Sequence, residues 1–211
     1  MTSAPFEVRA PGKLVVAGEY AVLEGAPGVV MAVDRFVRVR PGGDGSGDLV
    51  SAAREAAARS FGIAADAGGW IADSDALGLD GRKLGLGSSA AVTVAAAASV
   101  LVEAGLDVED DGVRRRLWDV AREVHDAHQG VTGSGLDVAA SLFGGFRELR
   151  RTGDGVDLSR WSLPGGLDLR IAWTGVAAST PDLLRAVRTW GDRDPPRYAT
   201  CMRMLGRVAT T

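Results

Sequence analysis

The sequence has little of the residues that build disulfide frameworks or surfaces for polyanions. Cys201 is the only cysteine among 211 residues, which excludes an internal disulfide framework and favours a reducing compartment. Lys and Arg total 24 against 27 for Asp and Glu, so no excess of positive charge predicts binding to nucleic acid or to an anionic membrane. Any phosphate that this chain binds must therefore be held by a local site.

Histidine is also scarce, because His125 and His128 are the only two in the chain. Their spacing of three residues, with Glu123 and Asp126 nearby, could suggest a metal site. No further His or Cys is available to complete a tetrahedral set, so the sequence argues against zinc.

Long runs of large apolar side chains are missing as well. No charge interrupts residues 84–102, but this stretch is mostly small residues, which favours a buried helix over a membrane span. The N-terminus shows no basic patch followed by an apolar segment, so it does not resemble a secretory signal. We therefore expect a cytoplasmic protein that binds neither membranes nor nucleic acid.

A glycine-rich turn stands directly before this small-residue helix, in the stretch Lys83-Leu-Gly-Leu-Gly-Ser-Ser-Ala-Ala91. The first turn of a helix has N–H groups without intrahelical partners, and glycines let a phosphate approach the backbone closely. Ser88 or Ser89 could cap the helix, ligate a metal, or do both. A lone glycine-rich turn is more often only the start of a helix than a phosphate-binding site. Evidence from other segments of the chain is therefore needed to choose between the two.

Two other stretches place charged groups beside glycine turns. The segment Gly133 to Ser141 opens a short helix with Asp137 in its first turn, where the helix dipole favours the ionised carboxylate. This acid could simply match the dipole, or it could be a catalytic group held charged. Lys13 follows a turn predicted at residues 10–12 and is either an exposed strand-edge lysine or part of a site.

Hydrophobic periodicity predicts an α+β chain. Strands are expected at residues 6–8, 14–17, 28–40, 68–72, 146–149 and 169–173, and helices at 49–61, after Ser89, at 110–129, after Gly135, at 179–190 and at 198–208.

Three of these segments together resemble the GHMP kinases, the small-molecule kinases of the galactose, homoserine, mevalonate and phosphomevalonate type. They are Ala10 to Gly25, Lys83 to Ala91 and Gly133 to Ser141, in the family's order and spacing. With His128-Gln-Gly130 and Trp173 to Thr180, they most resemble the members that phosphorylate phosphomevalonate.

The resemblance implies ATP-dependent phosphoryl transfer with Mg²⁺ and the GHMP kinase fold. Residues 1–160 would form an ATP-binding N-terminal domain of the ribosomal protein S5 domain 2-like type, and residues 161–211 the beginning of a ferredoxin-like C-terminal domain. Because family members are normally longer, we expect an incomplete second domain and association with a second copy or a partner subunit. Mevalonate as the acceptor, or a non-catalytic nucleotide-binding module, are the alternatives.

The resemblance also implies roles for individual residues. Lys13 and Asp137 would act at the acceptor, and Glu19 and Ser134 would contact the substrate or belong to the polar network. Either Glu123 or Asp126 could supply a metal carboxylate. The ATP phosphates would bind to Gly85, Leu86, Gly87, Ser88, Ser89 and Ala90, and a hydroxyl of Ser88 or Ser89 would help to hold Mg²⁺.

The role of Asp137 depends on the acceptor. An alcohol needs a base to take its proton, whereas a phosphate monoester, with a second pKa of about 6, is largely ionised at neutral pH. For the phosphate acceptor, Asp137 would mainly orient the lysine or the substrate.

Overall fold

The computed structural model describes residues 6–66, 68–153, 155–177 and 179–209. The first five residues of the stretch tested for a secretory signal, and Ala178 of the 173–180 motif, lie outside the described residues.

One layer of the fold is a five-stranded antiparallel sheet organised around its longest strand, β2. On one side β2 pairs with β1, and on the other it pairs with β6 near its start and with β3 near its end. Strand β7 extends the sheet beyond β6, and the short strands β4 and β5 form a separate hairpin. The strands are β1 Val8–Ala17, β2 Pro27–Pro41, β3 Trp70–Asp73, β4 Gly78–Leu79, β5 Arg82–Lys83, β6 Phe146–Thr152 and β7 Gly155–Arg160.

Helices cover the sheet, with α2 at the centre of the core. Its neighbours are α1, α3 and α4 together with the strands β1 and β2, and small side chains let all of these approach it closely. Among the described residues no helix is long and apolar enough to cross a membrane. The helices are α1 Asp48–Phe61, α2 Ser88–Glu103, α3 Asp111–Gln129, α4 Leu136–Phe143, α5 Thr180–Arg193 and α6 Pro195–Val208, with 3₁₀ turns at Ala21–Glu24 and Asp75–Leu77.

A buried charge joins α1 to α2. Arg54 is 3% exposed, and its guanidinium donates to Ser99 Oγ at 2.6 Å and to Glu103 Oε2 at 2.9 Å. It also lies 3.6 Å from the centre of the Trp70 ring. Because the buried charge is paired and hydrogen-bonded, it ties the two helices together.

The turn predicted at residues 10–12 is wrong. Strand β1 runs through it, with a register shift between Pro11 and Lys13. Pro11 has no N–H for the ladder, and Gly12 approaches other segments so closely that a Cβ would lie 2.6 Å from Leu77 Cδ2 and 2.7 Å from the Leu86 carbonyl oxygen. A register irregularity between β1 and β2 therefore stands where the turn was predicted.

The strand predicted at residues 169–173 is also wrong. These residues form no regular structure, and Leu169, Ile171 and Trp173 are 42%, 59% and 37% exposed. A strand needs a hydrogen-bonded neighbour, and none pairs with this segment in the part of the chain that the structure describes. Helix α6 begins earlier than predicted because Asp194 caps it, accepting from the Arg197 N–H at 3.2 Å.

Candidate active site

The glycine-rich turn leads into α2 as predicted, but its serines do not cap the helix. Gly87 occupies the N-cap in the left-handed conformation, and Ser88 and Ser89 are the first two helical residues. No side chain caps this helix, and no acidic residue lies in its first turn. The N–H groups of the first turn are therefore left for an external anion.

Lys13 lies against this turn. Its N–H donates to the Leu86 carbonyl at 2.8 Å, so β1 and the glycine-rich turn are joined through the backbone. Its side chain passes so close to Gly87 that a Cβ there would lie 2.8 Å from Lys13 Cγ. Among the residues that the structure describes, the Lys13 ammonium has no ion-pair partner, so its charge is available to an anion.

A cavity of about 370 Å³ lies in front of the turn and brings together most of the predicted phosphate-binding residues. Ala90 is the exception, because its side chain is buried in the core and only its backbone belongs to the first turn of α2. The cavity is lined by Lys13, Leu77, Lys83, Gly85, Leu86, Gly87, Ser88, Ser89, His128, Gln129, Asp137, Ala177 and Ser179.

A second cavity, of about 190 Å³, shares Lys13, Gln129 and Asp137 with the first. Both Glu19 and Ser134 line it, as does Tyr20, whose φ of 64° is unusual for a bulky residue. Two compartments thus meet at one lysine and one carboxylate. The remaining lining residues are Val15, Val22, Leu23, Gly133, Leu136, Leu183 and Leu184.

Asp137 lies in the first turn of α4, as predicted. Its Oδ1 accepts from the Val138 N–H at 2.9 Å, and the positive end of the helix dipole favours the ionised carboxylate. Ser134 supports the same turn, since its Oγ accepts from the Leu136 N–H at 3.3 Å. The carboxylate side chain is 20% exposed, which leaves it accessible from the shared part of the two cavities.

Sequence reasoning missed a buried imidazole beside the site. His125, considered only as a zinc ligand, has its Nε2 3.1 Å from Ser89 Oγ and 3.0 Å from Gln129 Nε2. Its Nδ1 lies 3.7 Å from Asp137 Oδ2. The spacing of four residues, which puts His125 and Gln129 on one face of α3, is the signal that could have found the pair.

The two carboxylates considered as metal ligands lie in different surroundings. Glu123 is exposed and lines shallow grooves between α1 and α3, whereas Asp126 accepts from the Gly133 N–H at 2.9 Å and so holds the turn before α4. No group of three or more His, Cys, Asp or Glu residues in the described segments could hold a metal ion.

Magnesium nevertheless fits the first cavity, because it prefers oxygen ligands and usually combines one or two carboxylates with substrate phosphates. The hydroxyls of Ser88 and Ser89 and the carboxylate of Asp137 all line that cavity.

Comparison with known sequences identifies relatives over most of the chain. Residues 49–145 match the GHMP kinases N terminal domain. A protein named phosphomevalonate kinase from Streptomyces sp. (strain CL190) is 32% identical over 270 residues, covering 96% of this chain and 71% of that protein. A mevalonate kinase from Aeropyrum pernix is 32% identical over 216 residues, covering 87% of this chain and 61% of that protein.

Solved structures share the fold. The Lin0012 protein from Listeria innocua superposes with a TM-score of 0.80 at 21% identity, covering 98% of this chain and 71% of that one. Streptococcus pneumoniae phosphomevalonate kinase, in complex with phosphomevalonate and AMPPNP, gives a TM-score of 0.69 at 18% identity, with 96% and 74% of the two chains covered. These likenesses confirm the fold that the sequence predicted.

Proposed function

The chain belongs to the GHMP kinase family, and we propose on that premise that it transfers the γ-phosphate of ATP to phosphomevalonate in the cytoplasm. The observation that carries the proposal is the convergence of two cavities on Lys13 and Asp137. One cavity has the uncapped helix start expected for a phosphate, and the other has polar groups at its edge and apolar walls. A phosphoryl donor and an acceptor can therefore meet at one point.

On the donor side, the backbone of Gly85 to Ser89 would hold the ATP phosphates. The N–H groups at the start of α2 have no intrahelical partners and would attract the phosphates, and the glycines allow close approach. Magnesium, when bound with ATP, would neutralise phosphate charge, with Ser88 or Ser89 as a protein ligand. Lys13 would stabilise the negative charge on the transferring group, which is the main task in phosphoryl transfer.

On the acceptor side, a phosphate oxygen of phosphomevalonate would form the new bond to the γ-phosphorus as the bond to ADP breaks. Because that oxygen is largely ionised at neutral pH, Asp137 is not required as a base. It would orient Lys13 and the acceptor instead. With mevalonate, whose alcohol must lose a proton, Asp137 would act as the general base.

The division of the chain at residue 160 is part of the same proposal. The sheet described above ends with β7 at Arg160, and the helices α5 and α6 follow after a stretch without regular structure. Leu183 and Leu184 of α5 nevertheless line the second cavity, so the region after residue 160 would contribute to acceptor binding.

The decisive experiment measures ADP release by the purified 211-residue chain with Mg-ATP and phosphomevalonate, mevalonate or no acceptor. We expect turnover with phosphomevalonate and loss of turnover in Lys13→Met. Turnover with mevalonate alone would reassign the acceptor. If the folded chain binds ATP but is silent with both acceptors, the kinase proposal fails and a nucleotide-binding module remains.

A further inference from the structure

His125 of α3 lies beside the starts of two other helices, α2 and α4. It is 2% exposed, although a histidine has two polar nitrogens that need partners when buried. Both nitrogens face side chains of the site. On one side is Ser89 of the glycine-rich turn, and on the other is Asp137 of α4.

The surroundings of the ring favour one tautomer. The Asp137 carboxylate is 3.7 Å from Nδ1, which is beyond a direct hydrogen bond but close enough to attract the positive end of an Nδ1–H dipole. With the proton on Nδ1, Nε2 is an acceptor. Its single lone pair is within reach of two donors, the Ser89 hydroxyl at 3.1 Å and the Gln129 amide at 3.0 Å, which share it.

A Ser89 hydroxyl that donates to Nε2 has a defined direction. When its hydrogen points inward to Nε2, the oxygen lone pairs point outward to the cavity. An oxygen presented in this way is suited to a cation or to the waters around it, while the N–H groups of the helix start are suited to phosphate oxygens. The Gln129 amide, one turn further along α3, holds the ring from the same side.

We infer that His125 is a positioning residue of the active site. It sets the orientation of the Ser89 hydroxyl and the distance between that hydroxyl and Asp137. This inference rests on the proposed function, since it gives the imidazole a task in binding the magnesium–nucleotide complex. It requires no change in the charge of the ring and no direct contact with the nucleotide.

Three substitutions separate this role from simple core packing. His125→Gln can place an amide group near the position of Nε2, His125→Asn reaches only as far as Nδ1, and His125→Leu fills the volume without a polar group. Val120→Ala serves as the control, because Val120 is a buried residue on the same helix that lines neither cavity of the site. Thermal unfolding, and calorimetric titration with Mg-ADP and with ADP alone, are measured for each variant.

We expect His125→Leu and His125→Asn to weaken Mg-ADP binding by about tenfold, the loss typical of a buried hydrogen bond. The His125→Gln variant should stay within about threefold of the unsubstituted chain, and ADP without magnesium should be less affected. Val120→Ala should lower the unfolding temperature and leave both affinities unchanged. Equal affinities in all variants, or losses that follow only the unfolding temperature, would overturn the inference.

A second measurement needs no substitution. Because His125 and His128 are the only histidines, NMR of the chain with isotope-labelled histidine resolves each ring. We expect His125 to carry its proton on Nδ1, and we expect the chemical shifts of its ring nitrogens to change when Mg-ADP binds. A proton on Nε2, with no change in chemical shift when Mg-ADP binds, would refute the positioning role of His125 even if every variant misfolded. None of these measurements needs an acceptor. A chain that binds nucleotide but transfers no phosphate would therefore disprove the proposed kinase activity and leave the positioning role of His125 open to its own test.

Discussion

Replacing Gly87 by alanine tests whether the glycine-rich turn positions Lys13. Gly87 has a φ of +73°, and a Cβ there would lie 2.8 Å from Lys13 Cγ and 2.9 Å from Lys13 Cε. The left-handed conformation costs an alanine about 1 kcal/mol, which corresponds to a fall of about 2–4 °C in Tm for a chain of this size. The lysine side chain must also move, because a Cβ atom less than 3.0 Å from another carbon is a steric clash.

The displacement of Lys13 should lower kcat/KM strongly, whereas the fall in Tm should stay small. Removing one group that stabilises transition-state charge typically lowers kcat by about 10²–10³, so a shifted but retained lysine should lower kcat/KM by at least about tenfold. The assay is ADP release with Mg-ATP and phosphomevalonate, and thermal unfolding reports stability on the same samples.

Gly62→Ala is the matched control for this substitution. Gly62 ends α1 with a φ of +67°, and a Cβ there would have nothing within 4 Å. Both variants should therefore lose similar stability, while only Gly87→Ala loses activity. If the two variants have the same Tm and the same kcat/KM, the contact between Gly87 and Lys13 does not position the lysine and the reasoning is refuted.

Three further outcomes are expected. With phosphomevalonate as acceptor, steady-state kinetics should show a smaller loss for Asp137→Asn than for Lys13→Met, and the reverse order would favour an alcohol acceptor. Arg54→Met should lower the free energy of unfolding by about 2 kcal/mol in denaturant titration, because it leaves Glu103 without its partner, and unchanged stability would contradict a structural role for the pair. Burial and the hydrogen bond to Glu24 raise the pKa of Tyr198 from 10.0 to about 12. The stability from this shift should be full below pH 10 and lost between pH 10 and 12, so Tyr198→Phe should remove that part of the alkaline fall in Tm; the same fall in both proteins would argue against it.

Local signals account for the parts of the fold that the sequence predicted well. The start of α3 is one example, since Asp110 accepts from the N–H groups of Gly112 and Val113, and the start of α5, where Ser179 accepts from the Asp182 N–H, is another. In both cases the residues that form the start of the helix are neighbours in sequence. The glycine-rich turn before α2 was predictable for the same reason.

The remaining features depend on segments that are distant in sequence. Gly12 is needed because Leu77 and Leu86 approach it, and nothing near Gly12 in the sequence indicates that approach. The strand predicted at residues 169–173 did not form, because no segment among the described residues pairs with it. His125 illustrates the same limit within the site, because Ser89 is 36 residues away and only the packing of α3 against α2 brings the two together.

The starts of α2 and α4 give the two sides of the site different charge. Both helices begin at a glycine with positive φ, and both present the positive end of a helix dipole to the shared cavity region. In α4 this end is already matched by Asp137, whereas the first turn of α2 contains no acidic residue. The positive start of α2 is therefore open to an anion, whereas the start of α4 already carries a carboxylate, and Lys13 lines the space between them. The same local element thus occurs once with an acid and once without, and in the proposed function this difference would distinguish the donor side of the site from the acceptor side.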